Sequence, residues 1–232
     1  MTESYRGNPA ARAGGLLADL IAPPRCPACR GPGRLEPDVG VCRGCRAAFA
    51  GQPPRALTVP VCGVAIAPLS YVPPATGLVA ALKSGRVPAA ASAAAELIAE
   101  ALATPPAQAV LVPVGAARLR RLGRGLDPAA EIAAALGPRL GLECLPGLLR
   151  RRGARPQRGR SRAQRLAAPP RFELTAEPPP LVLLVDDVVT TGATLRSCAT
   201  ALTGAGAGLA GAVALAWAPA PGQRLKDLVR AA

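Results

Sequence analysis

Residues 181–195, LVLLVDDVVTTGATL, constrain the fold of this chain more than any other segment. The first five residues are apolar without alternation, as expected for a central parallel strand that is covered on both faces. Two adjacent acids, Asp186 and Asp187, come next, and a loop of threonine and glycine leads into a helical pattern. Because ligands in open α/β sheets bind at the carboxyl ends of such strands, this segment predicts a ligand site.

The loop after the acids has the composition of a phosphate cradle. It consists of Thr190, Thr191, Gly192, Ala193 and Thr194. A helix start offers free N–H groups to an anion, and the glycine and hydroxyls let the chain wrap around it. Adjacent carboxylates can accept hydrogen bonds from a cis-diol, or hold a divalent cation through its waters. Together these parts predict recognition of a ribose 5-phosphate. The alternative is a capped helix that follows a strand with two solvated aspartates.

Apolar strand patterns alternate with helical patterns along most of the chain. The strand patterns cover residues 61–72, 109–115, 141–149, 181–185 and 210–218, and the helical patterns cover residues 75–85, 89–103, 116–136 and 192–204. Gly123, Gly125 and Pro128 divide the third helical pattern into a loop and a helix. Alternation of this kind is typical of an α/β domain with a parallel sheet flanked by helices, predicted here for residues 63–232.

Four cysteines in the preceding segment, residues 23–62, predict a zinc site. Cys26, Cys29, Cys42 and Cys45 have the spacing C-x2-C-x12-C-x2-C, in which two CxxC knuckles can surround one zinc ion. The segment is rich in proline and glycine and has little periodicity, so a bound metal would supply its folding free energy. Four cysteine ligands leave no open coordination position, so the zinc is predicted to be structural. Reduced cysteines without a metal are the alternative.

The N-terminal residues 1–22 are predicted to form a tail and a short amphipathic helix. They lack the continuous apolar core and the cleavage site of a signal peptide, and no apolar run reaches the roughly 18 residues of a membrane span. A cytoplasmic location is therefore expected, where cysteines remain thiols or bind metal. Cys62, Cys144 and Cys198 lie in apolar patterns and are predicted to be core residues. The absence of histidine excludes a histidine base and histidine metal ligands.

The charge of the chain suggests an anionic partner. Lys and Arg number 28 against 14 Asp and Glu, a formal net charge of +14. The densest basic stretch includes Arg155, Arg158, Arg160, Arg162 and Arg165. It is interpreted as a hood that closes over pyrophosphate, as a groove for the backbone of single-stranded DNA, or as a solvated basic loop. Phe172 is the only aromatic residue near it, which argues against stacking on bases.

The strand, the two acids and the Thr/Gly loop resemble the phosphoribosyl-pyrophosphate signature of the type I phosphoribosyltransferases. The resemblance implies that Asp186 and Asp187 face the ribose hydroxyls and orient the sugar and Mg²⁺. It also implies that residues 190–194 wrap the 5-phosphate. In such a reaction the protein holds an oxocarbenium-like state mainly by positioning and electrostatics, for which histidine is not required.

The order of motifs along residues 20–217 resembles the ComF family, the competence-associated, type I phosphoribosyltransferase-like proteins with a four-cysteine module. The matching residues are Pro113, Arg124-Gly125, Pro156-Gln157, Gly159, Ser161-Arg162 and Arg165. The resemblance implies that pyrophosphate would meet the backbone around Pro113 and Val114, with Arg118 or Arg124. The chain departs from the family pattern at Leu126-Asp127-Pro128, where Phe-Asn-Gln is usual, and at Ala168, where Asn is common. Lys83-Ser84-Gly85 stands in the order of the family's motifs but is shorter than the usual Lys-Tyr-x-Gly.

Two functions from different classes follow from these features. The first is a ComF-like protein that binds phosphoribosyl pyrophosphate or a related sugar phosphate with Mg²⁺, in the manner of a phosphoribosyltransferase, in association with DNA uptake. The second is a non-catalytic accessory protein of the DNA-uptake machinery that binds single-stranded DNA through its arginine-rich loops. No residue identifies an acceptor substrate.

Overall fold

The computed structural model describes residues 25–85, 87–102, 104, 107–114, 127–152 and 170–219, and the structural statements below concern these residues. The predicted N-terminal helix within residues 1–22 lies outside them.

The described residues contain one large, mostly parallel sheet and a separate two-stranded sheet. The strands are β1 (Arg55–Val59), β2 (Gly63–Ala67), β3 (Leu69–Ser70), β4 (Val110–Pro113), β5 (Leu149–Arg151), β6 (Phe172–Leu174), β7 (Leu181–Val189) and β8 (Gly208–Trp217). The large sheet has the order β1-β2-β8-β7-β4, and β3 pairs with β8 beyond the end of β2. All its pairs are parallel except the antiparallel pair of β1 and β2.

Helices cover both faces of the large sheet. They are α1 (Arg43–Ala50), α2 (Ala75–Ser84), α3 (Pro88–Ala101), α4 (Pro128–Leu140) and α5 (Ala193–Thr203). On one face, helices α1, α2, α3 and α4 share a hydrophobic core with the sheet. On the other face, α5 and the sheet share a second core. The predicted α/β class, with a mostly parallel sheet flanked by helices, is confirmed. The phosphoribosyltransferase-like form of this fold stays a prediction.

Strand β7 occupies the central position that its uninterrupted apolar run predicts. It lies between β8 and β4, and its alternate residues enter different cores. Leu183 and Val185 are buried on the α2–α4 face, whereas Val182 and Leu184 are buried on the α5 face. The strand has no solvent-facing side until its carboxyl end, which is why its sequence shows no polar alternation.

The two acids lie within β7 rather than after it. The strand continues to Val189, with Asp186 paired to Ala214 and Val189 paired to Trp217 of β8. Strand β8 is ten residues long, so it continues the ladder beyond the apolar run that sequence patterning recognises. The ladder therefore fixes the backbone of Asp186 and of Val188, the two neighbours of Asp187.

The segment 141–149, predicted to hold one short strand, divides into two parts. Cys144 makes a single parallel bridge to Leu111, and β5 starts only at Leu149. Pro146 and Gly147, the latter at φ +85°, form a turn between the parts. Strand β5 then pairs with β6, so the start of the arginine-rich stretch belongs to a small antiparallel sheet.

Strand β1 begins before residue 63, where the sequence places the start of the α/β domain. It was not predicted, because RALTV is short and follows Pro53-Pro54. Its last residue, Val59, is buried in the core beneath α5.

Among the helices of the described residues, none has the length and apolar character needed to cross a bilayer.

Candidate functional site

The four predicted cysteine ligands meet at one point. The sulfur atoms of Cys26, Cys29, Cys42 and Cys45 all lie within 4.8 Å of one another, and the Sγ atoms of Cys29 and Cys42 are 3.7 Å apart. Tetrahedral zinc with Zn–S bonds of about 2.3 Å places its sulfur ligands about 3.8 Å apart. The cluster therefore could hold one structural zinc ion, as its spacing predicts.

Backbone N–H groups stabilise the thiolate form of part of the cluster. The amides of Gly31 and Cys42 lie 3.4 Å from the sulfurs of Cys29 and Cys26, respectively. Burial alone would raise the pKa of Cys26, but hydrogen bonds from the backbone of Cys42, Cys29 and Ala28 outweigh it and lower the pKa to about 7. Burial and the neighbouring thiols raise the pKa of Cys45. Zinc must therefore displace protons on binding, so its affinity should increase with pH.

The cysteine module is packed into the main core. Val39, Val41 and Phe49 are buried in the same cluster as α2 and α3. At Gly77 of α2, an added Cβ would lie 1.8 Å from the carbonyl oxygen of Ala28, between the two cysteines of the first knuckle. The backbone of the knuckle thus rests directly on α2 at a position that only glycine allows.

The remaining cysteines agree with their prediction as core residues. Cys62 and Cys198, the latter on α5, are buried in the core between α5 and the sheet, and Cys144 is half-buried against the opposite core. Burial raises the pKa of Cys62 to about 11, so this thiol is protonated at neutral pH.

The two acids extend from opposite faces of β7. Period-two alternation continues from Val185 to Asp187 on the face of α2–α4, and from Leu184 to Asp186 on the face of α5. In each aspartate, Oδ1 accepts a hydrogen bond from the next backbone N–H, at 2.8 Å for Asp186 and 2.9 Å for Asp187. The remaining oxygen of Asp187, Oδ2, lies 3.0 Å from Nζ of Lys83. The sequence motif that contains Lys83 does not predict its place at this site.

The environment of Asp186 disfavours its charged form. Burial raises its pKa well above the usual value of 3.8, and the negative charges of Asp187 and Asp127 raise it further. The charged form of a carboxyl group in such an environment is stabilised by any cation or hydrogen-bond donor that approaches it.

Replacing Asp186 with asparagine is expected to stabilise the protein at neutral pH. Because the pKa is raised in the folded state, the unfolded chain releases this proton first, and ionisation of Asp186 costs stability as pH rises above the usual value of 3.8. The advantage of Asp186→Asn over the wild type should therefore grow from pH 5 upward until the raised pKa is passed. Urea unfolding across this pH range measures it, with Glu177→Gln, an exposed acid, as the control. An advantage that shrinks with rising pH would contradict the assignment.

The Thr/Gly loop starts α5 without a capping side chain at Gly192. This glycine has φ +69°, in the left-handed region, and an added Cβ would lie 2.8 Å from Cγ2 of Val59. Thr191 Oγ1 is 3.4 Å from the amide of Ala193, and Thr190 and Thr191 are exposed. The loop therefore packs against β1 at Gly192, whereas its two threonines are accessible to solvent.

The end of β4 lies beside the acids. The amide of Val114, the residue after Pro113, donates to the carbonyl of Val185 at 2.8 Å. Of the predicted pyrophosphate residues, Pro113 and Val114 are therefore adjacent to the acid pair, whereas Arg118 and Arg124 lie outside the described residues. Also outside them are the basic residues Arg155, Arg158, Arg160, Arg162 and Arg165.

Asp127 has a structural role at its departure from the family pattern. It is the N-cap of α4, and its Oδ1 accepts from the amide of Ala129 at 3.2 Å, ahead of Pro128 at the first helical position. Aspartate and asparagine cap helices about equally well, so the cap alone does not require the acid. Its negative charge nevertheless helps to raise the pKa of Asp186, and α4 packs against β7, the strand that carries this acid.

No protein-family model matches the sequence, and no curated protein matches it. The four-cysteine cluster and the mostly parallel sheet are the coarse features that the resemblance to ComF implies. The finer assignment therefore depends on the residues at the carboxyl end of β7.

Proposed function

We propose that this chain is a ComF-like protein that binds phosphoribosyl pyrophosphate, or a related ribose 5-phosphate ligand, together with Mg²⁺. One observation carries the proposal: the acids Asp186 and Asp187 and the open loop at Gly192 share the carboxyl end of the central strand. A ribose 5-phosphate has its diol and its phosphate on opposite ends of one small sugar. A site for it therefore needs hydrogen-bond acceptors at one end, for the diol, and an anion-binding loop at the other end, for the phosphate.

Several contacts support this proposal. The exposed hydroxyls of Thr190 and Thr191 and the start of α5 would bind the 5-phosphate. The carboxylates would accept from the ribose hydroxyls, and the backbone around Val114 would approach the pyrophosphate. In each acid one oxygen accepts from a backbone N–H, and among the described residues the other oxygen has no backbone partner, so the orientation of the carboxyl group is set before a ligand arrives.

The donor set around the acids also fits Mg²⁺, a hard cation that prefers carboxylate oxygens and retains waters. Asp187 already faces one cationic group, and the raised pKa of Asp186 indicates that its charge is poorly compensated. When bound, Mg²⁺ would neutralise charge on the pyrophosphate as it departs. The protein residues would hold the sugar in the geometry in which the bond from C1 to the pyrophosphate oxygen breaks.

A second candidate is the non-catalytic binding of single-stranded DNA. The described residues include 13 of the 28 Lys and Arg but 11 of the 14 Asp and Glu, so +12 of the net charge of +14 is carried by the other residues. That distribution favours a charge-driven contact with a phosphate backbone outside the described site.

Titration calorimetry separates the two candidates. The double variant Asp186→Asn with Asp187→Asn should bind phosphoribosyl pyrophosphate with Mg²⁺ about a hundredfold more weakly than the wild type, because two hydrogen bonds to charged groups are lost. Glu177→Gln, which changes an exposed acid elsewhere, should bind like the wild type. For single-stranded DNA, loss of the acidic groups should leave the affinity unchanged or slightly higher. Wild-type affinity of the double variant for phosphoribosyl pyrophosphate would reject the proposed site.

A further inference from the structure

Lys83 is a cation already seated at the acid pair. Its Nζ lies 3.0 Å from Oδ2 of Asp187, whereas the other oxygen, Oδ1, accepts from the backbone N–H of Val188. The side chain of Lys83 is 39% exposed and that of Asp187 is 18% exposed. The carboxylate is thus largely enclosed, whereas the lysine reaches it from the solvent side and can leave without disturbing the core.

The use of lysine at this position is unusual for this chain. The sequence contains two lysines, Lys83 and Lys226, among 28 basic residues, and the other 26 are arginines. Arginine binds a carboxylate with a planar fork of two donors, whereas lysine is a compact point charge with a flexible stem. A lysine at Asp187 therefore gives a cation that exchanges more easily than an arginine would.

The position of Lys83 beside Asp187 is set by helix α2, which is held at both ends. Lys83 is in the last turn of α2, where its charge is favourable at the helix C-terminus, and Gly85 ends the helix in the left-handed conformation. The other end of α2 is held by the knuckle, whose Ala28 contacts Gly77. Only the side chain of Lys83, and not the helix, has to move for Asp187 to become available.

From this geometry we infer that Lys83 is an exchangeable internal counter-cation, which pairs with Asp187 in the ligand-free site and competes there with the divalent cation that accompanies the ligand. The inference rests on the proposed function for the identity of the site. It adds that cation affinity is set by an ion pair within the chain. Freed from Asp187, the ammonium group of Lys83 remains at the site, next to where an anionic ligand would bind.

Titration of Mn²⁺ into the full-length, zinc-loaded protein tests the competition without any sugar phosphate. Mn²⁺ suits carboxylates and is the weakest of the first-row divalent ions at thiolate sites, so the cysteine cluster should not take it up. Lys83→Met should bind Mn²⁺ about three- to tenfold more tightly than the wild type, because a partly exposed competitor is removed. Lys83→Arg should bind it more weakly than the wild type, because the arginine fork holds Asp187 more firmly.

Asp187→Asn is the control for the position of the metal. In this background the substitution Lys83→Met should have no effect on Mn²⁺ affinity, because the group under competition is gone. Equal affinities of the wild type and Lys83→Met would overturn the inference, as would failure of Lys83→Met to bind Mn²⁺ at all. A merely structural Lys83 would lower affinity in both Lys83 variants.

A second readout follows Lys83 itself. After reductive ¹³C-methylation, the lysine resonances come from Lys83 and Lys226, and Lys83→Arg identifies the first by its disappearance. Addition of Mg²⁺ should shift the Lys83 resonance and not that of Lys226, and Asp187→Asn should abolish the shift. An unchanged Lys83 resonance on saturation with Mg²⁺ would overturn the inference. Because neither measurement uses phosphoribosyl pyrophosphate, failure here is distinct from failure of the proposed ligand.

Discussion

Replacing Cys45 with serine is expected to lower the free energy of unfolding by more than about 3 kcal/mol and to abolish zinc binding. Cys45 is buried beside the core residue Phe49, and three remaining thiols cannot complete a tetrahedral structural site. Because the module shares its core with α2 and α3, the loss should appear in the unfolding of the whole described domain rather than of the module alone. Guanidinium unfolding combined with metal analysis of the purified protein measures both effects.

The matched control is Cys144→Ser. Cys144 is half-buried and lies outside the four-cysteine cluster, so its substitution should leave the zinc content at one per chain and cost much less stability. Removal of zinc from the wild type with a chelator should reproduce the Cys45 variant, and should proceed faster at acid pH, where thiols regain their protons. A Cys45→Ser protein that unfolds like the wild type would show that the cluster carries no structural metal.

Gly77→Ala is expected to lower the free energy of unfolding by about 2–3 kcal/mol, although alanine is normally the better helix former. The new methyl group would lie 1.8 Å from the carbonyl oxygen of Ala28, so the knuckle or α2 has to move. Thermal unfolding of the zinc-loaded protein measures the loss.

Gly44→Ala provides the opposite result in the same experiment. Gly44 is also within a helix, α1, but an added Cβ meets nothing within 4 Å, so this substitution should stabilise the protein by about 0.5–1 kcal/mol. If both alanine variants are stabilised, the knuckle does not rest on α2 as described.

Local patterns predicted the parts of this molecule that depend on neighbours in sequence. The central strand, the cysteine knuckles and helix α5 each arise from residues within a few positions of one another. The continuation of β7 through Asp186 and Asp187 could not be read in this way, because it depends on the length of the neighbouring strand β8.

Sequence patterns likewise could not predict contacts between distant segments. The ion pair between Lys83 and Asp187 joins the end of α2 to the central strand, and neither residue has a local feature that names its partner. The sequence shows Asp127 as a departure from a family pattern. Its role as the N-cap of α4 follows only from the structure, in which the helix begins at Pro128.

The contact of Val59 with Gly192 limits how this protein can be shortened. The Thr/Gly loop comes late in the chain, yet the side chain against its glycine comes from the edge strand β1. A recombinant fragment designed to start at residue 63 would keep both acids of β7 and every threonine of the loop, but it would lack the Val59 side chain that packs against Gly192. Minimal versions intended for crystallisation with a ligand should therefore begin upstream of Arg55.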